Sequence, residues 1–371
     1  MPSIATRGAL SAKGYGFGMG GAAGPFLWGW GNNQFGQLGL TGFSYSSPAQ
    51  VGALTTWKTI AAGYNHTGAV KTDGSLWTWG SNATGKLGLG NTTYYNSPKQ
   101  VGALTTWLNI ASGYGHGIAI KTDGSLWAWG RNSVGQLGLG NTTVYSSPVQ
   151  VGALTTWKTI AAGGYHMIAV KTDGTLWTWG YNASGQLGLG NITNYSSPKQ
   201  VGALTTWKTI ASGVGHTMAV KTDGSLWTWG YNTAGQLGIG HSYSTKSPQQ
   251  VGALTTWLNV AGGQYHTIAV KTDGSLWTWG GNASGQLGLG NTTYYNSPKQ
   301  VGALTTWLNI ASGYGHGIAI KTDGSLWTWG GNWRGILGVG DITNRSSPVQ
   351  VGALTTWKTI AGGAGYNIAI G

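Results

Sequence analysis

Between Ser75 and Trp79 the side chains alternate, with Leu76 and Thr78 on one face and Trp77 and Trp79 on the other. Period two over so short a run predicts a β-strand, C. Upstream, Trp57 to Ala62 reads as strand A and His66 to Thr72 as strand B. The pair Asp73-Gly74 between B and C predicts a two-residue type I′ hairpin, because both residues tolerate positive φ. After Trp79 the apolar pattern dissolves into a glycine-rich loop, Gly80 to Ser97. Pro98 to Val101 then reads as a short outer strand D, since proline suits an edge.

This order of elements repeats. Val-Gly-Ala-Leu-Thr-Thr-Trp begins at residues 51, 101, 151, 201, 251, 301 and 351. A period near 50 with short strands is the signature of propeller blades. Six units are complete, and the seventh stops at Gly371 after strands A and B. Its other half lies at the opposite end of the chain. Phe26-Leu27-Trp28-Gly29-Trp30-Gly31 matches strand C, while Gly36-Gln37-Leu38-Gly39 and Pro48 match the loop and strand D. The expected fold is therefore all-β, a closed seven-bladed β-propeller of four-stranded blades whose seventh blade is completed by both termini. Closure leaves no exposed first or last edge. The propeller is assigned to residues 24–371 and an extended arm to residues 1–23.

The run from Gly113 to Gly140, Gly-Tyr-Gly-His-Gly-Ile-Ala-Ile-Lys-Thr-Asp-Gly-Ser-Leu-Trp-Ala-Trp-Gly-Arg-Asn-Ser-Val-Gly-Gln-Leu-Gly-Leu-Gly, resembles an RCC1 repeat along its whole length. Its Trp-Gly-x-Asn-x-x-Gly-Gln-Leu-Gly core recurs seven times with small departures. The resemblance implies the seven-bladed fold. The founder of that family is an exchange factor for a small GTPase that docks on chromatin, and other relatives are inhibitors or scaffolds. An exchange surface needs acids at specific loops, whereas the acids here lie in repeated turns, so the resemblance implies a scaffold more than an exchange factor. Residues 4–14 are also similar to short leaders on structural proteins of tailed bacteriophages.

Composition changes this picture in three ways. Glycine (69 residues) and tryptophan (22) dominate and only 7% of residues are charged, yet the apolar residues recur at fixed positions, so a core forms. The net charge of +13 stems from missing acids: there is no glutamate, and the 20 basic residues are spread without a run of five. That dispersion argues against nucleic acid as a partner, which would need clustered cations. Cysteine is absent, excluding disulfides and thiolate chemistry. No apolar stretch nears the ~20 residues of a membrane span. Residues 1–21 carry Arg7 and Lys13 without an apolar segment after them, so no secretory signal is expected.

Candidate chemistry is sparse. Six of the seven aspartates (Asp73, Asp123, Asp173, Asp223, Asp273 and Asp323) share one turn position, and Asp341 stands alone. No carboxylate pair faces one bond, as acid–base catalysis would need. His66, His116, His166, His216, His266 and His316, with Tyr366 in the seventh unit, form a ring. A cation at the channel would need three of them within ~2 Å of one ion; the expected role is instead a hydrogen-bonded pin for each A–B turn. Gly16-x-Gly18-x-x-Gly21 follows no strand, and Gly80-x4-Gly85-Lys86 is followed by Leu87 where a phosphate loop needs serine or threonine. The recurring tryptophans read as packing, with Trp333 the exposed exception beside Arg334. No enzyme, metal or cofactor is expected.

Differences between the units carry the functional signal. The D–A and B–C connections are constant, and variation gathers in the A–B and C–D loops, which open on the opposite end. Tyrosine, serine, asparagine and glycine dominate there, a composition suited to adaptable recognition. Candidate binding residues are Tyr64, Asn65, Tyr94, Tyr95, Tyr114, Arg131, Tyr145, Tyr165, Tyr181, Tyr195, Tyr231, Tyr265, Tyr314, Trp333 and Arg334. Arg7, Lys13, Tyr15 and Phe17 are the candidate attachment residues of the arm. The expected function is a non-enzymatic virion or surface component, held by its arm and binding a receptor or glycan through the variable loops. The alternative is a soluble, cytoplasmic protein–protein interaction scaffold or inhibitor.

Overall fold

The computed structural model describes residues 25–371; the expected arm, with Arg7, Lys13, Tyr15 and Phe17, lies outside them. Seven antiparallel four-stranded sheets form the propeller. In the first complete blade, strands A to D are Trp57–Ala62, His66–Lys71, Leu76–Gly80 and Tyr95–Gln100. The seventh blade is the expected composite. Its strands A and B, Thr359–Gly362 and Tyr366–Ile370, join strands C and D, Leu27–Asn32 and Ser44–Gln50. The seam between chain ends runs in register from Leu27↔Ile370 to Gly31↔Tyr366. It is extended by paired bonds between the backbones of Phe26 and Gly371 at 2.9 and 3.1 Å.

Two local expectations are corrected. The B–C connection is not a type I′ turn: Gly74 has φ +79°, but arginine 334 is the sole non-glycine with positive φ among the described residues, so Asp73 does not share it. Gly74 N–H donates to Lys71 O and Lys71 N–H to Ser75 O, both at 3.0 Å, giving a three-residue loop with glycine at the left-handed position. Asp73 instead accepts from the N–H (2.8 Å) and hydroxyl (2.6 Å) of Ser75, whose oxygen takes the Trp77 indole N–H at 2.8 Å. Strand D also begins three residues early, at Tyr95. Its ladder breaks between Gly80↔Tyr95 and Thr78↔Lys99, across Pro98, which has no N–H to donate.

The core lies between neighbouring blades. Val70, Leu76 and Val101 of the first blade pack against Trp107, Ile110, Ala119 and Trp129 of the second. The Trp129 indole N–H donates across that seam to Lys86 O at 2.9 Å.

Six of the 20 basic residues have a role that their even spread along the chain did not reveal. Lys71, at the end of strand B, is only 7% exposed, and its ammonium lies 3.7 Å from the Trp77 ring centroid and 5.0 Å from Trp57. Lys121, Lys171, Lys221, Lys271 and Lys321 repeat the contact at 3.6–3.8 Å. The aliphatic stem covers tryptophan and the charge meets two π faces. Lys121→Ala is expected to lower stability by about 1–2 kcal/mol through lost cation–π and stem packing. A chemical melt of the single variant checks this; an unchanged midpoint would make the contact incidental.

Candidate functional site

Strand A is innermost in every blade, so the A–B turns crowd around one mouth of the central channel. They enclose a cavity of about 110 Å³ lined by all seven blades, from Gly63 and Tyr64 round to Gly363 and Ala364. Glycine is required at the first turn position. A Cβ on Gly113 would overlap the His116 ring and come 2.7 Å from Gly163 O of the next blade. The turn is held by its backbone, Gly63 N–H to His66 O at 2.8 Å.

The histidine rings therefore do not pin their own turns. They are buried and reach sideways: Nε2 of His166 and His216 meets the hydroxyls of Thr217 and Thr267 at 3.0 Å, and His316 meets Asn367 Oδ1 at 2.8 Å. These three rings tie blade to blade. Burial pushes their pKa values down, to about 3 for His166, His216 and His266 and about 4 for His116 and His316. Among the described residues no group of three or more His, Asp or Glu gathers to hold a metal.

Above the channel mouth, candidate tyrosines from separate blades converge. The Tyr64 ring lies 4.9 Å from Tyr114 and 6.1 Å from Tyr314, and Tyr114 touches Tyr165 edge-on at 5.1 Å. Tyr114 O–H donates to Tyr314 Oη at 2.7 Å, spanning 200 residues. Burial first, then that hydrogen bond, pushes the Tyr114 hydroxyl pKa up, so it stays protonated. Tyr64 is exposed while Tyr114, Tyr165 and Tyr314 are half-buried, a layer open on its outer side. Tyr181 extends the layer from Tyr165, and Arg131 lies over the Tyr165 ring at 5.1 Å. Tyr231 and Tyr265 form a separate pair at 6.1 Å. Asn65 is half-buried, its carbonyl accepting Ser81 N–H at 2.9 Å.

The other candidates lie apart. Tyr94, Tyr95, Tyr145 and Tyr195 sit at the start of strand D or just before it, on the outer rim. Tyr145 and Tyr195 hydroxyls accept from the Asn141 and Asn191 amides at 3.4 and 3.2 Å, a fixed structural contact. Tyr94 packs on Phe35 at 6.0 Å beside a groove of about 470 Å³ that also holds Phe43. Phe43, 80% exposed, and Tyr243, 79% exposed, were missed; their departure from the recurring loop pattern was the available signal.

Trp333 and Arg334 serve closure. Trp333 is 52% exposed, yet its ring covers Gly365 in the seventh blade. Arg334, at φ 59°, reaches Asn32 Oδ1 at 2.6 Å and Gln34 Oε1 at 3.1 Å across the joint between blades six and seven. A left-handed arginine is strained, and here the cross-chain contacts hold it.

The model of the RCC1-like domain matches residues 26–370. No curated protein sequence matches the chain. Among solved structures, human WBSCR16 superposes with a TM-score of 0.85 at 22% identity, covering 94% of this chain and 99% of its own. Prp20p from Saccharomyces cerevisiae gives 0.85 at 21% identity, covering 95% and 92%. Yeast RCC1 (Prp20) in its complex with Kap60 gives 0.85 at 19% identity, covering 99% and 96%. No described helix is long and apolar enough to cross a membrane.

Proposed function

The chain belongs to the RCC1-like domain family, and from that premise we propose that it is a non-enzymatic binding protein whose A–B/C–D face engages a protein partner. The observation that carries the reading is the tyrosine layer, which no core-packing rule demands. Tyr64, Tyr114, Tyr165 and Tyr314 come from four blades, meet over one point and leave an open aromatic surface. Such rigid, amphipathic rings commonly dominate interface energy. Yeast Prp20p is described with its binding to Gsp1p and histones, and in a complex with Kap60, all of them proteins. The narrower expectation of a virion or surface component binding a receptor or glycan rests on an arm outside the described residues, and neither fold nor relatives support it.

Replacing Tyr64, Tyr114, Tyr165 and Tyr314 with serine is expected to weaken the natural partner by about a hundredfold, the cost of one or two aromatic anchors. Melting should change little, since the blade core is untouched. Lys58→Ala, Lys158→Ala and Lys208→Ala, at exposed positions on the opposite end, should leave affinity within twofold. Affinities measured by calorimetry that fall with the lysine set and not the tyrosine set would place recognition on the other face.

A further inference from the structure

We infer that the seam between the first and second complete blades holds an anion site, built by Lys86 and Arg131, that receives an acidic side chain of the protein partner. The inference rests on the reading of this face as the recognition surface.

The residue after the loop glycine is glutamine in five blades: Gln37, Gln136, Gln186, Gln236 and Gln286. Each Oε1 accepts the backbone N–H two residues earlier, at 2.8–3.0 Å. Lys86 stands at that position in the first blade and has no acceptor with which to replace this bond. The variable residue after strand C is neutral everywhere except at Arg131, in the adjacent blade. Blade geometry brings these two departures together. Lys86 O accepts the Trp129 indole N–H, and Lys86 Cα lies 3.0 Å from where a Cβ on Gly130 would stand, one residue before Arg131.

Neither cation has a counter-charge. Among the described residues the one ion pair is Arg345–Asp341, in the sixth blade, and the other six aspartates occupy B–C turns at the far end. Lys86 is 8% exposed, and its ammonium makes no hydrogen bond among the described residues yet is not sealed from solvent. Arg131 is exposed, with Nε donating to Ser133 Oγ at 3.1 Å and its remaining N–H groups making no hydrogen bond among the described residues. Beside Lys86, His66 is fully buried and its ring makes no side-chain hydrogen bond among the described residues. Its counterparts His166 and His216 use a threonine 51 residues on, but here that position is Gly117.

A buried ammonium with no counter-charge, set beside an exposed guanidinium, is costly until an anion arrives. Burial, and then Arg131, pulls the Lys86 amine down to about 8, in keeping with that strain. A carboxylate bridging the two would restore the charged amine and accept charge-assisted bonds from both. Tyr165, under Arg131, joins this site to the tyrosine layer, so one partner can reach both.

The test uses the full chain and hexaglutamate as probe. Limited acetylation by acetic anhydride at pH 8, read by peptide mass spectrometry, is expected to modify Lys86 at least fivefold more slowly with saturating hexaglutamate, while Lys99 is unaffected. Lys86→Gln and Arg131→Gly install residues that other blades already carry, so both variants should melt as the parent does. Arg131→Gly should raise the hexaglutamate concentration needed for Lys86 protection tenfold, and Lys86→Gln should weaken hexaglutamate binding tenfold by NMR titration. Binding unaltered by both substitutions, or no protection of Lys86, overturns the site. Equal protection by the same concentration of inorganic phosphate overturns the assignment to an acidic side chain. The tyrosine-to-serine variant separates the two readings. Retained affinity for the natural partner with Lys86 protection intact sinks the functional face and not the anion site.

Discussion

Deleting residues 356–371 is expected to abolish the cooperative melting transition and drive the protein into aggregates. The segment supplies strands A and B of the seventh blade, and its loss strips strand C, Leu27–Asn32, of five register pairs. Trp357 is 4% exposed and lies 5.9 Å from Trp28 and 6.2 Å from Trp30. Losing one such buried tryptophan costs about 3–5 kcal/mol. Tyr366, Ile368 and Ile370, all core residues, go with it. A whole domain is typically stable by only about 5–15 kcal/mol, so the loss is the whole of its stability, and the bared edges are templates for association. Calorimetry with light scattering measures both effects. A permuted chain in which Lys-Thr-Asp-Gly-Ser joins Ile370 to Leu27 should fold normally, because that loop closes the same hairpin in the other blades. A truncated protein that melts as the parent does would contradict the composite blade.

That composite blade was legible in the sequence because each unit is nearly a copy of the next, so a missing half could be matched to Phe26–Gly31 by identity alone. The turn after strand B was not, because Asp-Gly serves both the type I′ turn and the three-residue loop; the choice falls to Asp73, whose carboxylate binds Ser75 instead of adopting positive φ. The packing of Lys71 was not legible, since a charged head gives no sign that its stem lies on two tryptophans. The candidate site was legible only in its parts. Sequence placed Tyr114 and Tyr314 in equivalent turns, but their meeting depends on how far glycines at 63, 113 and their repeats let the channel close. The outer-rim tyrosines occupy positions just as variable and were read alike, although Tyr145 and Tyr195 are fixed by asparagines of the loop. Lys86 was weighed only as part of a failed phosphate loop. Its significance needs Arg131, 45 positions away in the chain and adjacent only through blade packing.

Acidification is expected to unfold the propeller between about pH 6 and pH 4.5, well above the range where carboxylates titrate. Histidines of the unfolded chain protonate near the ordinary 6.5, whereas burial holds His116 and His316 near 4 and His166, His216 and His266 near 3. His66 is depressed by burial and, less strongly, by Lys86 and His116. Between those limits the unfolded chain binds more protons, so stability is complete above 6.5 and falls as pH falls. One pH unit below 6.5, five such groups together remove about 7 kcal/mol, comparable with the entire stability of an ordinary domain. The turn aspartates act in the same direction but later: Ser75 and its counterparts hold their carboxyls below the usual range, so their stabilisation is lost only under stronger acid. Tryptophan fluorescence against pH, with proton uptake measured in parallel, reads the transition. It should be steep and take up several protons at once, because the rings are threaded through adjoining blades and a charged imidazole in one seam loosens the next. A native spectrum that persists while several protons are taken up near pH 6.5 would refute the ring of neutral, cross-blade histidines.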